Sequence, residues 1–352
     1  MNPRRISACA LVGLGALLVT SSVMIPTYTL DKMAKTPLDL AITTVAKSDP
    51  NRPTKVLDAK SLTSPEGSAR VDSGVPLVSQ RFLTVEEPSD ATEMTVQAGQ
   101  TLRRDDREGN TGLLTASIDR VTIDRKSGAP VAADPNGSIA VNVDKSGNSV
   151  ADASHREGLQ YRFPIGTEKK NYPYFDLNAR KTFDIQYMEE TEIKGMKVYH
   201  FQQTIPATDM WEVVKSPTHK LTLPAAKWGV EGEGDVTMTR YYTNVRDVWV
   251  EPQTGTVIKG GEQLHLYYGR SADKVEVTAL QGTLIFDEKT VDDQMAVAQE
   301  SIDKLALFGR TLPIVFAVVG VLAILAGIFL GVRGGSGPSY DPPTTRLRRP
   351  NS

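Results

Sequence analysis

Residues 312–332 read LPIVFAVVGVLAILAGIFLGV, a run without one charged side chain. About 20 apolar residues in an α-helix cover the roughly 30 Å hydrocarbon layer of a bilayer. A helix in a soluble core keeps a polar face over that length, and this run has none. Arg333 follows at once, and Arg346, Arg348 and Arg349 lie in the short tail. Cationic flanks are retained in the cytoplasm, so the sequence predicts a membrane span with the C-terminus inside.

A second apolar run, ISACALVGLGALLVTSSVMI at 6–25, follows Arg4 and Arg5. By the same rule its N-terminal side is expected in the cytoplasm. The competing reading is a cleaved signal peptide, for which Thr20, Ser21 and Ser22 could form the small-residue site. The run exceeds the about 7–15 residues of a usual signal core, which favours an uncleaved anchor. Two crossings with both ends inside leave the middle outside. The expected organisation is a cytoplasmic N-terminus at 1–5, a transmembrane helix at 6–25 and an exported domain at 31–289. An amphipathic stalk helix at 290–310, a second transmembrane helix at 311–332 and a disordered cytoplasmic tail at 333–352 complete it.

With 352 residues, 40% of them hydrophobic, the chain has enough apolar matter for a large core. Its only cysteine, Cys9, falls in the first apolar run. The exported part therefore has no disulfide or thiolate metal site and must be stable on packing alone, which a domain of this size can be. A formal net charge of -2 gives no electrostatic footprint for phosphate backbones, so nucleic acid is excluded as a partner.

The central sequence alternates at the period of a strand. In RKTFDIQYMEETEIKGMKVYHFQQ, Phe183, Ile185 and Tyr187 alternate, and Met196, Val198 and His200 resume the pattern beyond Lys194 and Gly195. A hairpin is predicted there, since glycine supplies the positive φ of a tight turn. A second is predicted across Pro252, Gln253, Thr254 and Gly255, with Val248 and Val250 before it and Val257, Leu264, Leu266 and Tyr268 after it. Further strands are expected at 115–124 and 274–286, with Val275, Val277 and Ala279 on one face, while 101–148 reads as long polar loops. The fold class is therefore mainly β, an antiparallel sheet curved or closed on itself, flanked by two transmembrane helices. Just before the second span, Val291, Met295, Ala298, Ile302 and Leu305 recur at helical spacing, and Thr290 with Asp293 resembles a helix-capping pair.

Signatures of catalysis are missing. There is no GxSxG, no GxxxxGK[ST] and no HExxH, and His155, His200, His219 and His265 are scattered. GVEGEGD at 229–235 lacks the lysine of a phosphate loop and reads as a turn. The Glu189, Glu190 and Glu192 cluster reads as a solvated acidic turn rather than an acid–base pair. No catalytic, cofactor or metal residue is assigned, and no enzyme activity is expected. Aromatic residues concentrate in the second half of the domain. Phe175, Tyr199, Phe201 and Trp211, with Leu221, Leu223 and Trp228, are the candidate lipid-contacting residues. The last three sit among Pro and Gly in a segment that reads as an apolar loop, either a lid or a patch dipping into lipid.

The paired terminal spans, NYPYFDLNARK at 171–181 and YYTNVRDVWVEPQTGTVIKGGE at 241–262 resemble the actinobacterial PorA family of mycobacteria and corynebacteria, along essentially the whole chain. One mycobacterial member of that family is linked to lipomannan and lipoarabinomannan biosynthesis. The resemblance implies a periplasmic domain with an elongated, β-barrel-like fold and internal cavities, similar in outline to lipid-carrying class B scavenger receptors. It also implies a role in lipid or lipoglycan handling in the envelope. The family's name points to a porin, but an outer-membrane barrel crosses with alternating strands and carries no charge-free helical span. The expected function is non-enzymatic lipid binding or transfer in lipoglycan biosynthesis, with a membrane lipid or lipoglycan precursor as cargo and envelope glycosyltransferases as partners. The alternative is a membrane-anchored scaffold that positions envelope enzymes.

Overall fold

The computed structural model describes residues 3–29, 32, 34–143 and 149–333. The polar tail expected at 333–352 falls, from 334 on, outside the described residues. Contacts divide the chain into two units, Met1–Ala34 with Asp303–Ser352, and Lys35–Ile302. The long helices are α1 (Pro3–Met24), α2 (Glu288–Ala306) and α3 (Leu312–Arg333).

In the first unit α1 and α3 pack along a stripe of small residues. Ala8 and Gly15 are buried on α1, and Pro313, Gly320 and Gly327 on α3, each one heptad from the next. A Cβ added at Gly15 would lie 2.6 Å from the Gly320 carbonyl oxygen, and one at Gly327 would lie 2.8 Å from that of Ala8. The backbones touch, which is how helices associate where burial of apolar surface supplies no drive. Both helices are long and apolar enough to cross a membrane.

The second unit is one antiparallel sheet. Its strands are β1 (Ala41–Ser48), β2 (Lys55–Asp58), β3 (Arg70–Ser73), β4 (Leu77–Glu86), β5 (Glu93–Arg104), β6 (Leu113–Asp124), β7 (Gly137–Val143) and β8 (Ser149–Ser154). They continue with β9 (Tyr172–Asp176), β10 (Lys181–Ile193), β11 (Met196–Asp209), β12 (Lys220–Pro224), β13 (Asp235–Glu251), β14 (Thr256–Gly269) and β15 (Val277–Phe286). The main path runs β8-β7-β6-β5-β4-β1-β15-β14-β13-β11-β10-β9, with β12 on β13, β2 on β15 and β3 on β2. The mainly β class holds, and the sheet stops short of a closed barrel, because β8 and β9 end the path without pairing. Residues 155–163 bridge that seam. The Leu159 N–H donates to Pro173 O and the Phe175 N–H to Leu159 O, both at 2.8 Å, while Arg156 forms a fully buried ion pair with Asp119 of β6.

Both predicted hairpins form. Lys194 (φ 49°) and Gly195 (φ 83°) turn β10 into β11. Gly255 turns β13 into β14 at φ 69°, and there a Cβ would meet the Phe163 carbonyl oxygen at 2.1 Å, so only glycine fits. Val291 and Ala298 of α2 are buried against Val198 and Ile258 of the sheet, with Met295 half-buried beside them. Asp287, not Thr290, caps α2, accepting the Thr290 N–H at 3.0 Å. The Thr290 hydroxyl instead accepts the Val45 N–H at 2.9 Å.

Four further expectations differ from the structure. The 221–232 segment, expected as a loop, is irregular only from Gly229 on, because β12 pairs with β13 and a helical turn, Ala225–Trp228, buries Trp228. The 101–148 stretch, rich in turn formers, still carries β6 and β7. Glu189, Glu190 and Glu192 lie on β10 rather than in its turn, and Glu190 bridges Lys169 and Lys197 at 2.8 and 2.9 Å. Val275 lies before β15 and is exposed, while Val277 and Ala279 are buried.

Candidate functional site, an interior cavity crossed by a polar belt

Alternation sorts each strand into an inward and an outward face. On β13, Tyr242, Asn244, Val248 and Val250 are buried while Thr243, Val245 and Asp247 are partly open. Arg246 falls among the inward positions. Its register partner on β14 is Glu262 and on β11 is Gln203. The guanidinium donates to Glu262 at 2.8 Å through Nε, to Gln203 Oε1 at 2.6 Å through Nη1 and to Asp176 at 2.9 Å through Nη2. Tyr242 Oη donates to the same carboxylate oxygen, Asp176 Oδ2, at 3.1 Å. Burial pushes the Glu262 carboxyl up, but the charges of Arg246 and Arg81 outweigh it and hold Glu262 below the usual carboxylate range.

Across the sheet the same level is occupied by Gln100 of β5 and Arg81 of β4, again register partners, with Thr44 of β1 opposite Arg81. Arg81 donates to Gln100 Oε1 at 3.2 and 3.0 Å and lies over the Tyr161 ring. The two halves make a polar belt on the inward face, with apolar clusters on either side of it. One is built around Leu77, Leu102, Ile205, Tyr242 and Leu264. The others hold Leu83, Met94, Val96 and Val121, and Phe163, Tyr172, Phe201 and Val250.

Between belt and clusters lies a cavity of about 130 Å³, roughly ten times what one water needs. Its apolar wall comes from Ile42, Leu83, Met94, Val96, Leu284 and Phe286, and its polar wall from Arg81, Gln100, Arg162, Arg246 and Glu262. Strands as distant along the sheet as β5 and β9 line it together, which requires the sheet to wrap round. Gly260 helps to open the space, since a Cβ there would meet the Phe286 ring at 3.2 Å. A second cavity of about 450 Å³, of mixed lining, is bounded by Arg52 and Pro53. It is bordered by Asn244, whose side chain is buried with neither its oxygen nor its nitrogen hydrogen-bonded.

The seven residues singled out in the sequence do not gather at this cavity. Phe175 lines it, 3% exposed and under the Arg156 guanidinium at 5.0 Å. Phe201 is fully buried in the aromatic cluster beside Phe163, at 4.8 Å between ring centres. Tyr199 packs at that cluster's edge with Lys169 and Lys197 over its ring. Trp211 is half-buried in the turn Met210–Val213, covered by Lys215 and Lys220. Leu221 and Leu223 pack on Trp228, which is 2% exposed and donates its indole N–H to Val236 O at 3.0 Å. The belt residues Arg81, Gln100, Gln203 and Glu262 went unread. Only Gln100, between Ala98 and Leu102, and Gln203, between Phe201 and Ile205, carried a signal, as polar residues at inward positions between apolar ones of the same parity.

The histidines are spread over the domain. His200 bonds Asp247 through Nε2 at 2.8 Å and stacks on Trp249, and burial lowers the His219 and His265 pKa values. Among the described residues no three His, Cys, Asp or Glu side chains group as a metal site would require.

A sequence model described as Porin PorA matches residues 7–329. The chain belongs to the PorA family. A relative named Porin PorA from Corynebacterium amycolatum is 31% identical over 373 aligned positions, spanning 90% of this chain and 96% of the relative. Another of the same name, from Corynebacterium resistens (strain DSM 45100 / JCM 12819 / GTC 2026 / SICGH 158), is 29% identical over 405 positions, spanning 94% and 97%. The match includes both apolar helices and the whole sheet, so a membrane-associated, β-rich architecture goes with membership.

Proposed function

We propose that this chain is a non-enzymatic, membrane-anchored lipid carrier of the cell envelope, holding an acyl chain inside its curved sheet and handing it on in lipoglycan assembly or maintenance. The observation that carries this reading is the apolar-walled cavity with a polar belt along one side, since a carrier must enclose methylenes worth about 0.8 kcal/mol each and still recognise a head group. The arginines flanking each apolar helix support a two-pass topology with both termini in the cytoplasm and the sheet in the periplasm. Cargo would then be a membrane lipid or lipoglycan precursor, taken over by glycosyltransferases of the same membrane. The test is lipid transfer. The full chain in donor vesicles should speed movement of a fluorescent acyl lipid to acceptor vesicles, and a rate equal to that of protein-free vesicles would overturn the reading.

A channel is the second reading, favoured by the name Porin PorA that both relatives carry. Weighing against it are the unpaired ends of the sheet and an interior occupied by apolar clusters and the Arg246 ion pairs. Unitary current steps from the purified chain in a planar bilayer would decide for the channel. In-cell crosslinking to envelope enzymes without any lipid transfer would favour a scaffold.

A further inference from the structure

Beside the cavity one guanidinium, that of Arg162, has no acid paired with it among the described residues. Arg246 is matched by Asp176 at 2.9 Å and Glu262 at 2.8 Å, two acids for one base. Arg81, whose charge also acts on Glu262, brings that group to neutrality. Asp247, the remaining acid on the cavity wall, is engaged by His200 at 2.8 Å and by Gln202 at 2.9 Å. Arg162 is left over. It lines the same cavity, makes one hydrogen bond, from Nη2 to Thr254 O at 2.6 Å, and has no carboxylate within 4.0 Å among the described residues. Its Nε and Nη1 have no protein partner there and remain accessible. Desolvation alone pulls its pKa down to about 10, so it stays charged at neutral pH.

A half-buried guanidinium with no acid beside it has nothing to offset the hydration it has lost. Arg162 sits beside an apolar wall, and its free N–H groups have the fork geometry that fits an oxyanion. We infer that the cavity's ligand is an anionic amphiphile, a carboxylate or phosphate head held by Arg162 and Arg81 with its acyl chain against Ile42, Leu83, Val96 and Phe286. This rests on the carrier reading and narrows it to a class of cargo.

The test uses the full-length chain in nonionic detergent and long-chain probes with a diazirine near the tail end, alike except for the head. One is a carboxylic acid, one a monoalkyl phosphate and one an uncharged alcohol. After illumination, labelled peptides are mapped by mass spectrometry. The acid or the phosphate should label peptides of β1, β4 and β5 about tenfold or more above the alcohol, as one charge-assisted contact implies, and the stronger of the two identifies the head group. In R162Q that ratio should fall towards one, and in R81Q it should fall in part. Equal labelling by the alcohol, or full selectivity in R162Q, overturns the anionic assignment and leaves the carrier standing. Labelling confined to 3–24 and 312–333, with none in the sheet, overturns both.

Discussion

Replacing Arg246 by methionine removes the cation that two interior carboxylates share. Asp176 is fully buried and the Glu262 side chain is 23% exposed, so neither regains bulk water when the guanidinium leaves. Gln203 also loses its 2.6 Å donor, and Asp176 keeps only the Tyr242 hydroxyl and the Ala179 N–H. Breaking a buried pair from one side costs about 3–5 kcal/mol, mostly the penalty of stranding the other charge. At about 2–4 °C per kcal/mol for a domain of this size, the unfolding midpoint should fall by roughly 6–20 °C. Circular dichroism of the full chain on heating reads this directly. The triple variant R246M/D176N/E262Q, which strands no charge, should recover much of the loss. A drop under about 2 °C in R246M, or a triple variant no better than the single, would refute the view that the belt is an interlocked charge network.

Acid should weaken the same network. Glu262 titrates below its ordinary value of 4.5 in the folded chain, so its stabilisation is complete above that value and is lost as pH falls through the lower, folded one. The pH–stability curve of E262Q should therefore be flatter than wild type below about pH 5. Glycine substitutions at two hairpins should separate conformation from collision. Gly195→Ala, at φ 83° with open space around it, should cost about 1–2 kcal/mol, whereas Gly255→Ala, 2.1 Å from a carbonyl oxygen, should cost about 3 kcal/mol or more in chemical denaturation. In the helix pair, a Cβ at Gly331 would lie 3.8 Å from that of Ala8, close to the mean disulfide separation of about 3.8 Å. Oxidation of A8C/G331C in a C9S background should therefore give a crosslink visible after proteolysis between the helices, and its failure to form would contradict the packing.

The parts of this architecture that local chemistry determines were readable in one dimension. A charge-free run can only be a membrane-length helix, and Lys194–Gly195 or Gly255 between alternating apolar residues can only be turns. The 221–232 segment misled because Pro224, Gly229 and Gly232 punctuate it densely, while its strand is held by pairing with β13 and its Trp228 by contacts with Met238 and Tyr268. Aromatic side chains drew attention as lipid contacts, yet Phe201 and Trp228 fill cores, since large rings are what close packing most needs. The belt was hidden for a different reason. Arg81, Gln100, Gln203, Arg246 and Glu262 become neighbours only through strand register, and register shifts at bulges such as that between Tyr187 and Glu189 or between Trp249 and Val250 cannot be counted from the sequence.

Native mass spectrometry of the full chain, released from its own membranes in a mild nonionic detergent, tests the carrier account most directly. A hollow sheet that carries cargo predicts a discrete adduct, one lipid per chain, that survives removal of the detergent and disappears when Val96 and Leu83 are both enlarged to tryptophan in a chain that still folds. A bare-chain mass in every preparation, with the plugged and the open protein alike, would contradict it.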